Sequence, residues 1–334
     1  MSTFCVAGMP DIPISFLPVS NAVIRRIREQ VLRTGVAVAW AQWSALATIA
    51  VPAGTRVRSM VDPEALVLLS LAVRGREPRL DELVLRWTRA ASTLLSVQRL
   101  VHLAESFPAG VREVIGPFAR AAADAGDRRW RAHAVEMDGG VPPRARSARV
   151  RLAEEPALLL RLRAGFGVGA RADVLAFLLA QRGAEASVSA IAGATGYSGG
   201  AVRAAAEEMV LAGFASRAEG APAAFSADPR AWAGVLRLRS ALSSRGPEVP
   251  PWRFWSAVFA FLAEVETWAA EAEAGEGSAY VASSLARDLV ADHAVPLRRA
   301  KLRLPDPRAP GGVAFLEDLE QGMQHVHAWC LEHL

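Results

Sequence analysis

ARADVLAFLLAQRGAEASVSAIAGATGYSGGAVRAAAEEMVLAGFASRAEGAPAAFSAD, residues 170–228, is the stretch whose reading decides the fold. Val174, Leu175, Phe177, Leu178 and Leu179 make a broad apolar stripe at helical spacing, and Gly183 is placed to stop that helix. Ser187 and Val188 suit a short extended stub, and Ser189 stands where a cap is wanted for a second helix that turns Ile191 and Ala192 inward. Gly196 supplies the left-handed residue at the end of that helix, and Ser198 follows as the cap of a third. Val202, Ala206, Met209 and Val210 repeat on its inner face until Gly213 ends it. FASR, a turn at Glu219-Gly220, and AAFSA then read as a hairpin.

The residues Ile191-Ala192, Thr195-Gly196-Tyr197-Ser198, Val202 and Leu211-Ala212-Gly213-Phe214 resemble the winged-helix domains of bacterial transcription regulators of the MarR and ArsR type. The resemblance spans about 60 of the 334 residues. It implies that the third helix enters the DNA major groove and that the hairpin is the wing. On that expectation Tyr197, Ser198, Gly199, Gly200 and Arg203 lie at the contact, with Arg217 beside the wing. The partner expected is double-stranded DNA, bound by a homodimer that matches paired half-sites.

Charge pulls against that expectation. Residues 170–230 carry five arginines and six carboxylates, a net of −1, whereas a DNA reader presents a basic face. The basic surplus lies upstream and peaks in PPRARSARVR, with Arg144, Arg146, Arg149 and Arg151. This Pro-flanked arm reads either as a phosphate-tracking segment or as a solvated linker. A near-neutral module also fits a protein-docking role, as in an antitoxin-like or phage-defence subunit whose partner is encoded nearby. DPEALVLLSLAVRGREPRLDELVLRW (residues 62–87) followed by LLSVQRL (residues 94–100) is loosely similar to proteins of abortive-infection toxin–antitoxin systems, in which winged-helix antitoxins occur.

The rest of the chain reads as helix. Alanine, leucine and arginine dominate, Lys301 is the sole lysine, and the net charge is +4. Asp62-Pro63-Glu64 is a strong helix start, combining a cap, a fixed φ and a carboxylate at the positive end. The uncharged stretch 34–51 has the length of a bilayer span, but Gln42, Ser44, Thr48 and Pro52 favour a buried helix and no membrane crossing. Ser96, Gln98 and Arg99 head either an ordinary bundle helix or the reading helix of a second, wingless helix-turn-helix. In the C-terminal region Phe254, Trp255, Val258, Phe261, Leu262, Val265 and Trp268 form a dense stripe, either core or a dimer face. Another helix is expected over 280–293.

The fold class expected is mainly α: a helical N-terminal domain (1–138), a linker and lead-in helix (139–169), a central winged helix-turn-helix with a small hairpin wing (170–230), and a helical C-terminal, dimerising region (231–334). No catalytic constellation emerges, so no enzyme, cofactor or metal is expected. In the cluster His325, His327, Cys330 and His333, the last three are three apart and share a helix face that zinc accepts, but they sit at a fraying terminus and lack an evident fourth ligand unless His293 folds against them. Gly165-Phe166-Gly167-Val168-Gly169 lacks the nucleotide-loop spacings and reads as a hinge. Two distant cysteines, Cys5 and Cys330, and no secretory leader suggest a cytoplasmic protein with free thiols.

Overall fold

A computed structural model describes residues 17–47, 56–135, 148–220, 222–239, 244, 246–275 and 278–334. The chain is mainly helical, with a small three-stranded antiparallel sheet. A 30-residue helix, α1 (Leu17–Leu46), opens it. Then come α2 (Pro63–Ala72), α3 (Pro78–Ala91), α4 (Val97–Ala104), α5 (Ala109–Glu113) and α6 (Ile115–Asp124). The central run is α7 (Leu158–Phe166), α8 (Ala170–Ala180), β1 (Ala186–Ser187), α9 (Val188–Thr195), α10 (Gly199–Leu211), β2 (Ser216–Arg217), β3 (Ala224–Ser226) and α11 (Pro229–Trp232). Three long helices finish it: α12 (Trp255–Ala274), α13 (Ala279–Arg299) and α14 (Val313–His333).

The start and end of the chain build one core. α1 lies against α12 and α14, so Val23, Ile24, Ile27 and Val31 meet residues almost 300 positions away in sequence, such as Leu319 and Val326. The tryptophan-rich stripe of α12 is spent inside this core: Trp255, Val258, Phe261, Leu262 and Val265 are fully buried against α1, α2 and α13. The uncharged stretch after Thr34 continues α1 without a break, with Thr34 and Gln42 buried among apolar neighbours. Among the described residues no helix is long and apolar enough to cross a membrane.

A second core gathers around α8. Val174, Leu175, Leu178 and Leu179 pack against Ile191, Val202, Ala206 and Phe225. β3 is the central strand of the sheet, in the order β1-β3-β2, pairing Ala186 with Phe225 on one side and Arg217 with Phe225 on the other. Phe225 therefore points from the middle of the sheet into the core, where it is wholly buried. α7 serves both cores: Leu160 faces the first, and Leu158, Leu159 and Leu162 the second. The part of α7 wedged between the two cores is buried, Arg163 with it, while Ala164 and Gly165 at its end are exposed.

Local starts follow capping chemistry. Asp62 caps α2 by accepting from the Ala65 amide, with Pro63 in the first turn, and Ser96 caps α4. At α9 the cap is Ser187, not Ser189, because the strand stub ends one residue earlier and the helix begins at Val188. α13 runs on to Arg299 through Pro296 rather than stopping near His293. The helix after Asp228 is a single turn.

Candidate nucleic-acid interface

α9 and α10 are joined by a turn of three residues, and each part of it has a local cause. The Thr195 hydroxyl donates to the Ile191 carbonyl at 2.8 Å. Gly196 then takes φ +76°, a left-handed conformation that costs other L-residues about 1–2 kcal/mol. Ser198 begins α10 with its Oγ accepting from the Ala201 amide at 3.2 Å. Val202, Ala205, Ala206 and Met209 are buried on the rear of α10.

The front of α10 is open. Gly199, Gly200, Ala201, Arg203, Ala204 and Glu208 are exposed, and among the described elements the helix packs chiefly on α8, α9 and β2. Ser198, Gly199, Gly200 and Arg203 thus share one uncovered end. Arg203 forms no ion pair among the described residues, whereas Arg217 on β2 is held by Glu207 at 2.9 Å and Arg171 by Glu208. Tyr197 departs from the expectation of a backbone contact. Its hydroxyl is buried, and burial together with the nearby Asp173 carboxylate pushes its pKa up, so the phenol stays protonated.

The Tyr197 side chain lies over a charge cluster that sequence reasoning missed. Arg99, Arg163, Asp62, Glu64 and Asp173 have side chains 0–5% exposed. Arg163 uses all five of its N–H bonds: two to Asp173 (2.8 and 2.7 Å), two to Glu64 (2.6 and 3.0 Å) and one to the Leu94 carbonyl at 3.1 Å. Arg99 grips Asp62 with two bonds (2.6 and 2.7 Å), reaches Glu64 at 2.6 Å, and donates from Nε to the Thr195 carbonyl at 2.6 Å. Glu64 also accepts from the Ser96 amide at 2.7 Å. Burial opposes the charge on Glu64, but the guanidiniums of Arg163 and Arg99 outweigh it and lower its pKa from 4.5 to about 2. The same carboxylates hold both arginines above their ordinary pKa despite burial.

This cluster changes two sequence readings. Arg99 cannot read bases from the head of α4, since it is buried and spent on Asp62, Glu64 and Thr195. Asp173, counted in the −1 of residues 170–230, is internal and paired with Arg163, so the exterior of that segment is balanced, with five arginines and five carboxylates. The signal available in sequence was a charge set inside an apolar helical run, as with Arg163 in ALLLRLR and Asp173 in RADVLAFLL.

Of the arginine arm, Arg144 and Arg146 lie outside the described residues. Arg149 is exposed, and Arg151 is exposed with its guanidinium on Glu154 at 2.6 Å. The histidines and cysteine of α14 do not converge. Cys330 is buried, His327 Nδ1 meets the Thr34 hydroxyl at 2.9 Å, His333 stacks on Trp329, and His325 is exposed. Among the described residues no group of three or more His, Cys, Asp or Glu side chains is placed to hold a metal ion. The 165–169 segment links α7 to α8, with Phe166 packed edge-on against Phe214 and Trp232. No family model, curated protein or solved structure matches this chain.

Proposed function

We propose that residues 170–230 form a winged helix-turn-helix and that the protein is a DNA-binding transcription regulator, with α10 as the reading helix and the β2–β3 hairpin as the wing. The observation that carries this reading is the asymmetry of α10. Its rear and its leading turn are locked, while its N-terminal half is bare and small-residue lined, with Arg203 projecting from it. Glu208 lies about 13 Å further along the axis than Gly199, at 1.5 Å per residue, so the acidic half stands back from a groove entered by the N-terminal half. Exposed N–H groups at the start of a helix favour phosphate, and Ser198, Gly199 and Gly200 let a backbone approach closely. A homodimer would present two such helices to paired half-sites.

The test is fluorescence anisotropy of the full chain against the upstream intergenic duplex at two salt concentrations. Arg203→Ala with Arg217→Ala is expected to weaken binding and to reduce the slope of log K against log salt by about 1.8, near 0.9 for each phosphate no longer neutralised. Unchanged binding in the double variant refutes the assignment. A second reading, docking of a protein partner, is favoured by one observation: Leu211 at the far end of α10 is 90% exposed, beside Phe214 at 40%. Co-purification of a neighbouring gene product, abolished in Leu211→Glu, with no DNA retardation at low salt, would select it.

A further inference from the structure

A cleft of about 700 Å³ lies away from α10, between the two cores. One wall is α8 and α9, contributing Phe177 and Ser189. The other is the returning segment 251–254 and the end of α13. Its size falls in the range of small-molecule sites, roughly 300–1,000 Å³. Among the described residues three cationic side chains line it, Arg253, Arg299 and Lys301, and no carboxylate does. Three aromatic rings line it too: Trp252, Phe254 and Phe177, the last packed edge-on to Trp252 with centroids 5.6 Å apart.

Several details point to a built site rather than an incidental crease. Arg253 Nε and Trp252 Nε1 are buried without a hydrogen-bond partner among the described residues, and unmet buried donors are costly. Burial also lowers the Arg253 pKa, a cost that a bound anion would offset. Lys301 is held at φ +62°, a strained backbone for a side-chain-bearing residue. The Arg299 guanidinium lies across Gly193 of α9, where a Cβ would collide with it, so the cation bridges the two walls. A neighbouring recess shares Arg253, but it carries Glu155, Glu248 and Glu332, so the carboxylate-free surface ends there.

We propose that this cleft binds a mononucleotide, its phosphates on Arg253, Arg299 and Lys301 and its base against the aromatic wall. Arginine and lysine supply the phosphate donors, and a planar base stacks on aromatic faces without demanding a specific edge. The proposal does not depend on whether α10 reads DNA. The experiment is isothermal titration calorimetry of the full chain with ATP, adenosine and inorganic pyrophosphate. ATP is expected to bind with a micromolar Kd, and adenosine and pyrophosphate each at least tenfold more weakly. Arg299→Ser with Lys301→Ser, both at exposed positions, is expected to weaken ATP at least tenfold while thermal melting stays unchanged. Absence of ATP binding at 1 mM, pyrophosphate binding as tightly as ATP, or full ATP affinity in the double variant overturns the proposal.

Discussion

Replacing Arg163 by methionine tests the buried cluster directly. The substitution keeps a flexible, unbranched but shorter side chain and removes five hydrogen bonds and one of the two cations. Three fully or nearly fully buried carboxylates then face Arg99 alone, and Asp173 loses both of its close guanidinium bonds. Removing one partner of a buried pair costs about 3–5 kcal/mol, since the remaining charge is left in a poor dielectric. At about 2.1 cal/mol/K per residue, a 334-residue chain has an unfolding entropy of about 0.7 kcal/mol/K. The expected fall in Tm is therefore about 4–7 °C, read by differential scanning calorimetry at pH 7. A fall of less than 2 °C refutes the view that these charges depend on one another.

Because Glu64 is held well below its ordinary pKa of 4.5, its contribution is present above that value and is lost as pH falls toward about 2. The shift corresponds to roughly 3 kcal/mol, so urea melts should show the gap between wild type and Arg163→Met narrowing from pH 5 to pH 3, and a constant gap would contradict the cause given. Arg99→Met removes the bond to the Thr195 carbonyl, and hydrogen exchange should accelerate at 195–198 more than in α8; equal acceleration in both would show global loosening instead. Gly196→Ala should cost about 1–2 kcal/mol from backbone strain at φ +76°, its Cβ otherwise meeting Leu103 and Arg99 at ordinary distances of 3.6 and 3.8 Å; a neutral result in chemical denaturation would mean the turn relaxes. Burial pushes the Cys330 thiol well above its ordinary pKa, so peptide mapping should find it unalkylated by iodoacetamide in the folded protein and alkylated in urea; alkylation at equal rates in both would refute its burial.

The local grammar of the central segment was legible because it depends on neighbours in sequence. Gly196 and Ser198 do what a left-handed end and a cap require, and β2 and β3 flank the turn at Glu219-Gly220. Asp62 and Pro63 likewise start α2 as their chemistry dictates. What stayed hidden depends on distant partners. Nothing near Glu64 announces that Arg99 and Arg163, 35 and 99 residues away, will enclose it. The same holds for α12, whose stripe has the spacing of either a core or a dimer face; the choice was made by α1, over 200 positions upstream. Tyr197 looked like a surface contact because its sequence neighbours are exposed, but its hydroxyl is drawn inward beneath the turn. The phosphate-tracking expectation for Arg144 and Arg146 falls on residues outside those described.

The position of the cluster explains why charges, rather than more leucine, occupy the seam between the cores. Apolar contact is non-directional, and replacing buried ion pairs with well-packed apolar groups is often neutral or stabilising, so stability alone does not account for five buried charges. A bidentate guanidinium–carboxylate pair, by contrast, fixes both distance and plane. Arg163 ties α7 to α2 and α8, and Arg99 ties α4 to α2 and to the last carbonyl of α9. The turn before α10 is thus tied to the N-terminal helices through Arg99, itself locked with Arg163 on Glu64, while the short sheet behind it has seven residues of strand among those described. A displacement of α2 or α4 then has a direct mechanical route to Thr195, and from there to the exposed end of α10.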